Sequence, residues 1–404
     1  YAIYRDWPVL PTYLHDRGYR TGLVGKLHVN PASAFVFDFK RHNGSNFGDR
    51  NIRAFANVAR VFFDQGDEPF FLMINYPDAH FPLHRQQHGW PIEPQTGDDV
   101  EVMPWVAATS PRLRAFVADY YNCLSRLDSG IGMLLEELEA SGKADDTLII
   151  YLGDHGAQFS RGKTSVYEAG LRVPMMLYWP GETAVGLEPE QLVSSLDIFP
   201  TILDALQVPA DERLEHLVGH SLLPISRAAS DDVLREYRFG ERSADSAVLL
   251  YPQRCVRDAR YKLIHSPVRD RPNILHDLYR DRHNAHFIAG TSQDDVDACG
   301  EMAQAVYARY RNPPEYELYD LDSDPHEFDN LADDAAFAEV KQRLIGALEQ
   351  WQRDTRDPFA RPDLTQRFME EMDAMAEQGR RSPKGGWGYL EYFDAYVWPG
   401  MQGR

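Results

Sequence analysis

Apolar residues in the first half of the chain alternate between two textures. Residues 10–18 have the three- and four-residue spacing of an amphipathic helix ending at Gly18, and residues 19–24 form a short apolar run that reads as a strand. In residues 52–65, Phe55, Ala56, Ala59, Phe62 and Phe63 again fall at helical spacing. Pro69 interrupts, and residues 70–75 (Phe-Phe-Leu-Met-Ile-Asn) follow as a nearly continuous apolar strand. Leu113, Phe116, Tyr120, Leu124, Leu127, Ile131, Leu134 and Leu138 then mark a long helix over residues 111–140, closed by Gly142. Strands are predicted at 147–152 and at 173–179, the latter ending at Pro180-Gly181, and a helix at 197–206. Helices between short, continuous apolar strands predict an α/β fold with a large, mainly parallel sheet flanked by helices.

Past Ser226 the texture changes. Residues 227–235 are polar and helix-like, and strands then come closer together, at 247–250, 261–265 and 316–321, before a helix over 333–353. This places a boundary near residue 232, between a larger domain (1–232) and a smaller C-terminal α+β domain (233–404) with an antiparallel sheet. From Pro358 onward the sequence is rich in Arg, Pro and Gly and reads as irregular surface chain.

At 404 residues there is ample chain for two cores. No apolar run approaches the roughly 18 residues that a membrane span requires, so a membrane partner is not expected. A net charge of 42 − 62 = −20 opposes a nucleic-acid-coating role, because that needs a broad positive field. An anionic substrate must therefore meet a small, local cationic pocket. Cys123, Cys255 and Cys299 form neither a disulfide framework nor a zinc-ligand spacing. The chain opens at Tyr1 without Met, which leads the sequence reading to expect an upstream piece and leaves the compartment open.

Ligands of open parallel sheets sit at the carboxyl ends of the strands, and three polar clusters occupy such positions. The first is Gly25-Lys26-Leu27-His28, whose Lys and His, two apart on extended chain, point the same way. The second is Asn75-Tyr76-Pro77-Asp78-Ala79-His80. There Asp78 suits an Asx-turn, and His80, with an ordinary pKa of about 6.5, is the better proton donor. The third is Gly153-Asp154-His155-Gly156, followed by Arg161-Gly162-Lys163. An Asp just past a buried strand is a natural ligand for a hard divalent cation, and His155 is either a second ligand or a hydrogen-bond donor to substrate. Together the clusters bring one carboxylate, two lysines and three histidines to one rim. That set suits a metal and a compact tetrahedral anion clamped by Lys26 and Lys163.

The residues 18–28, Gly-Tyr-Arg-Thr-Gly-Leu-Val-Gly-Lys-Leu-His, resemble the G-Y-x-T-x-x-x-G-K-x-H segment of the sulfatases, a family of the alkaline-phosphatase superfamily. Residues 147–163, continuing to Val173-Pro174, resemble a second sulfatase landmark. Glu317-Leu318-Tyr319-Asp320, Asp324-Pro325-His326-Glu327 and Asn330-Leu331 resemble the family's ending. Phe37-Asp38-Phe39, Asn43-Gly44-Ser45, Arg50-Asn51-Ile52 and residues 257–265 are most similar to the sulfamidases, which cleave the N–S bond of terminal N-sulfoglucosamine in heparan chains. The resemblance implies an alkaline-phosphatase-like sandwich and a sulfated saccharide as substrate. It implies Lys26, His28 and His80 as catalytic contacts to sulfate and nucleophile, with His80 or His28 the proton donor. Lys163 would bind sulfate, and Asp154 and His155 would form half of a metal shell.

Two departures accompany the resemblance. Sulfatases use a formylglycine made within a C/S-x-P-S-R motif upstream of the Lys26 segment, and these 404 residues contain no such motif; the formylglycine is expected in a preceding segment. His155 stands where many sulfatases carry Asn, so the expected divalent metal is calcium, with manganese or zinc admitted by the imidazole. The competing readings are a phosphonate monoester or phosphodiester hydrolase of the same superfamily and a non-catalytic, sugar-binding relative.

Overall fold

A computed structural model describes residues 3, 7–41, 49–214, 217–228, 233–244, 247, 249–278, 290–380 and 388–397. The Asn43-Gly44-Ser45 piece and the boundary residue 232 lie outside these.

Strands β1 (Arg20–Gly25), β2 (Phe39–Arg41) and β3 (Phe70–Asn75) form a parallel sheet in the order β2-β1-β3. β1 and β3 are in register from Arg20 opposite Phe70 to Gly25 opposite Asn75, so both strands end at one edge. One face is covered by the helices Ile52–Phe63 and Pro111–Ala140. Phe55, Ala59, Phe62, Phe63 and Leu138 pack there with Val24, Phe39, Leu72 and Ile74. Both helices begin where a side-chain oxygen accepts an otherwise unpaired backbone N–H, Asn51 from Ala54 and Ser110 from Leu113. The opposite face is covered by the helices Leu10–His15 and Ile198–Ala205, where Tyr13, Leu14 and Leu203 meet Tyr19, Phe71 and Phe199. Burying each phenylalanine contributes about 1.5–3 kcal/mol, which makes these two layers the main support of the sheet.

β4 (Ile149–Leu152) and β5 (Met175–Tyr178) pair antiparallel as a two-stranded ribbon, with Ile149 packed into the same cluster as Leu72 and Ile74. An apolar run carries no direction, so the sequence pattern could not reveal that β5 runs against β4.

The C-terminal half holds the antiparallel sheet β6 (Arg238–Ala244), β7 (Leu250–Arg257), β8 (Tyr261–His265) and β9 (Tyr316–Asp320), in the order β6-β7-β8-β9. The helix Ala338–Asp354 packs Leu344 and Leu348 onto Val256, Leu263 and Leu318. Two expectations are corrected here. The strand read at 247–250 instead occupies Leu250–Arg257, because Gln253 and Arg254 are buried and paired rather than solvated: Arg254 holds Asp357 through two hydrogen bonds. Among its described residues, the tail past Pro358 is not irregular. It forms the helices Pro362–Glu377 and Tyr389–Val397, since Phe368, Met369, Met372 and Met375 share one helix face and pack against Phe359, Leu250 and Val268.

Candidate active site

The site is built at the common edge of β1 and β3. Gly25 has φ +101°, and a Cβ there would lie 2.1 Å from the Asn75 carbonyl oxygen, so only glycine lets the two strands close at their ends. The Asn75 side-chain amide then donates to the Lys26 carbonyl at 2.8 Å, fixing where the Lys26–His28 segment leaves the sheet.

His80 follows β3 on a loop held by buried charge. Asp78 accepts two hydrogen bonds from Arg126 (2.7 and 2.8 Å) and lies 3.3 Å from the Arg50 guanidinium. Arg50 donates to the His80 carbonyl at 2.8 Å, and Arg126 to the His84 carbonyl at 3.0 Å. Asp78 is therefore structural, through ion pairs rather than through the Asx-turn its sequence suggests. His80 Nδ1 sits 2.7 Å from the Phe81 carbonyl, which can only accept, so Nδ1 carries a proton.

The third cluster lies on the β4–β5 connection, folded into a tight knot. The Lys163 N–H donates to the Ala157 carbonyl and the Gly156 N–H to the Gly170 carbonyl, at 2.8 and 3.0 Å. A Cβ on Gly162 would lie 2.3 Å from the Ala157 oxygen. The Phe81 N–H donates to Gln158 Oε1 at 3.0 Å, which bolts the His80 loop to this knot.

The charges of one cluster act on the histidines of the others. Burial is the largest cause lowering the pKa of His28; Lys26 and Lys163 lower it further, and Asp154 opposes them. His80 is likewise lowered, first by burial and then by Lys163, Arg50 and His155, against the Phe81 carbonyl. Lys163 thus acts on histidines from both strand ends. A histidine whose pKa falls on folding stays neutral in the native state while the unfolded chain takes up a proton. Stability is therefore lost as pH drops below the ordinary value of about 6.5 toward the depressed one. Chemical denaturation between pH 7 and 5 is expected to show this loss, and His80→Gln to reduce its slope; an unchanged slope would assign the loss elsewhere.

Asp154 and His155 do not complete a metal shell. His155 Nδ1 is 2.9 Å from the Gly156 carbonyl, which leaves Nε2 as a free donor atom 3.5 Å from the Asp154 carboxylate, whose side chain is 89% exposed. These two donors suit a divalent cation, but such ions take about four to eight. Among the described residues no group of three or more His, Cys, Asp or Glu gathers around one point. The pair is at most part of a shell.

The sequence gives no signal for Arg126 or Gln158, names Arg161 only as part of the run leading to Lys163, and offers Arg50 only as part of a resemblance. Their partners lie far away along the chain, where spacing rules carry no signal. Near the 84–99 loop, a cavity of about 540 Å³ lined by Gln95, Asp99, Glu101, Tyr121 and Ser125 opens beside the helix Pro111–Ala140. None of the six candidate residues lines it.

A parallel sheet between helical layers, an appended antiparallel sheet, and lysines and histidines at the strand ends define an alkaline-phosphatase-like hydrolase. The family model described as Sulfatase matches residues 3–208, and that described as N-sulphoglucosamine sulphohydrolase, C-terminal, matches residues 153–308. The chain belongs to the sulfatase family. It is 33% identical over 380 residues to the N-sulphoglucosamine sulphohydrolase of Homo sapiens, covering 87% of this chain and 74% of that protein. Among solved structures it is similar to one described as in complex with its substrate D-glucosamine-2-N,6-O-disulfate (TM-score 0.60, 17% identity, 89% of this chain and 85% of that one). It is also similar to the phosphonate monoester hydrolase of Agrobacterium radiobacter (TM-score 0.59, 19% identity, 86% and 81%). At these identities the structural likenesses show the fold alone. Among the described residues no helix is long and apolar enough to cross a membrane.

Proposed function

We propose that this chain acts on a sulfated saccharide by hydrolysing the N–S bond of N-sulfoglucosamine at a heparan chain end. In this reading residues 1–232 form the catalytic domain and residues 233–404 complete the substrate pocket. The observation that carries it is that the Lys26–His28, His80 and Lys163 segments meet beyond the ends of β1 and β3, tied by the Asn75–Lys26 and Phe81–Gln158 hydrogen bonds, in a chain 33% identical to a sulphoglucosamine sulphohydrolase. Lys26 and Lys163 bind the sulfuryl oxygens and offset their charge. His80 takes up a proton as the anion binds beside it, and its Nε2 then delivers that proton to the departing nitrogen as the N–S bond breaks, with His28 the alternative donor. A net charge of −20 favours a chain end or a small sugar over the interior of a long polyanion. Within the shell that Asp154 and His155 would share, calcium is the expected ion, with manganese or zinc as alternatives, and the attacking group expected of a sulfatase is formylglycine.

The Asp-His pair also fits a phosphonate monoester hydrolase, so the test compares substrates. The natural gene product is assayed on glucosamine N-sulfate, an aryl sulfate and an aryl phosphonate, with binding of glucosamine N-sulfate measured in parallel. Release of inorganic sulfate from the N-sulfated sugar is the expected result. Preferred turnover of the phosphonate would replace this reading with the phosphonohydrolase, and tight sugar binding without turnover would identify a non-catalytic relative.

A further inference from the structure

The segment that presents Lys163 is gripped at both ends by a turn from the C-terminal half of the chain. At the near end is Arg161, which is 2% exposed. Its guanidinium donates to the carbonyls of Trp105 (2.9 Å), His326 (3.0 Å) and Glu327 (2.8 Å). The same group lies 4.5 Å from the centre of the Tyr167 ring and 5.1 Å from that of Phe328. At the far end, the Glu327 carboxylate accepts the Glu168 N–H at 2.6 Å and pairs with the buried Lys262 ammonium at 2.9 Å.

The gripping turn is itself stiff. Asp324 accepts the N–H groups of Phe328 and Asp329 at 2.7 and 2.8 Å, and Asn330 accepts that of Leu318 in β9 at 2.8 Å. Between the two grips the Ser165 hydroxyl bonds to the carbonyls of Arg161 and Gly162, so little slack remains between Arg161 and Lys163.

A buried guanidinium is costly, and this one is spent on three carbonyls and two rings from three separate segments. Helix or sheet formation does not require it. Lys163 lies two positions on along the same tight segment, and a shift of about 1 Å in a charged contact is enough to weaken anion binding severalfold. We infer that Arg161, held by the His326–Phe328 turn, is a positioning residue that sets Lys163 for the bound anion. The inference rests on the proposed role of Lys163 as a sulfate contact.

The test is a double-mutant cycle read as affinity for inorganic sulfate and for glucosamine N-sulfate, by NMR titration of the whole chain. Arg161→Lys keeps the charge but cannot reach all three carbonyls. Phe328→Leu removes one ring from beneath the guanidinium, at a position 165 residues from Lys163 in sequence. Each is expected to weaken sulfate binding by about tenfold while cooperative unfolding is retained, and neither is expected to weaken it further in a Lys163→Ala background. A structural role without coupling to Lys163 would give losses that add to that of Lys163→Ala, and that result overturns the inference. So does full affinity in either variant. If Arg161→Lys fails to fold, Phe328→Leu decides alone. Should Lys163→Ala leave affinity unchanged, the proposed anion site fails and takes the inference with it; loss with Lys163→Ala but none with the positioning variants leaves the site standing and rejects only the positioning.

Discussion

Replacing Lys163 with alanine is expected to lower sulfate release from glucosamine N-sulfate by about 10²–10³-fold, the usual consequence of removing one fixed donor from an oxyanion site. The reason lies in how the side chain is presented. Its backbone N–H is tied to Ala157, and its ammonium acts on histidines that arrive from two different strands. Lys163→Arg keeps the charge but replaces a compact ammonium with a larger, planar head of different hydrogen-bond geometry, so partial activity with a raised KM is expected. A second readout follows from sign. Lys163 lowers the pKa of both His28 and His80, so removing it raises both, and the residual binding should persist to higher pH than in the parent chain. A pH profile of sulfate binding checks this. Loss of affinity with an unmoved profile would mean that the lysine touches the anion but not the histidines.

Much of that site was legible because the chemistry follows the strands directly. β1, β3 and β4 are apolar runs ended by polar residues, and the carboxyl-end rule is what made those three endings candidates for one site. The two-residue spacing of Lys26 and His28 needed nothing further. What stayed hidden was the support. Arg126 sits in an amphipathic helix where an arginine reads as solvated, and only the fold brings Asp78, 48 residues earlier, against it. Arg161 reaches Glu327 across 166 residues. Gln253 and Arg254 read as surface for the same reason, which moved the strand at 247–250 to Leu250–Arg257, whereas the strand at Tyr261–His265 falls where it was expected. The tail past Pro358 misled through composition. Its Arg, Pro and Gly content masked a methionine stripe whose partners, Leu250 and Val268, lie about a hundred residues earlier. Local pattern specifies elements and their endings; long-range charge and packing specify how firmly the endings are held.

The strongest expression of that second layer is Asp78, and Asp78→Ala is expected to destabilise the protein by about 3–5 kcal/mol, measured as a fall in the denaturant midpoint. Its side chain is 2% exposed, and the Arg50 and Arg126 side chains beside it are fully buried. The carboxylate oxygens accept both of Arg126's short ion-pair hydrogen bonds, and no water-exposed route exists for that guanidinium to recover the lost solvation. Removing the acid therefore strands a buried charge, which costs more than the pair itself was worth. A double variant, Asp78→Leu with Arg126→Met, separates the two consequences. Taking both charges away removes one of the two buried cations that Asp78 faces, while Arg50 still loses its carboxylate, so only part of the lost stability should return. The His84 carbonyl that Arg126 holds, and the Arg50 geometry that fixes the His80 carbonyl, would not return with it. Sulfate affinity is thus expected to stay reduced in a protein whose stability has partly recovered. If affinity recovers in step with stability, the triad serves folding alone, and the placement of His80 must be credited to the Phe81–Gln158 hydrogen bond that ties its loop to the Lys163 knot.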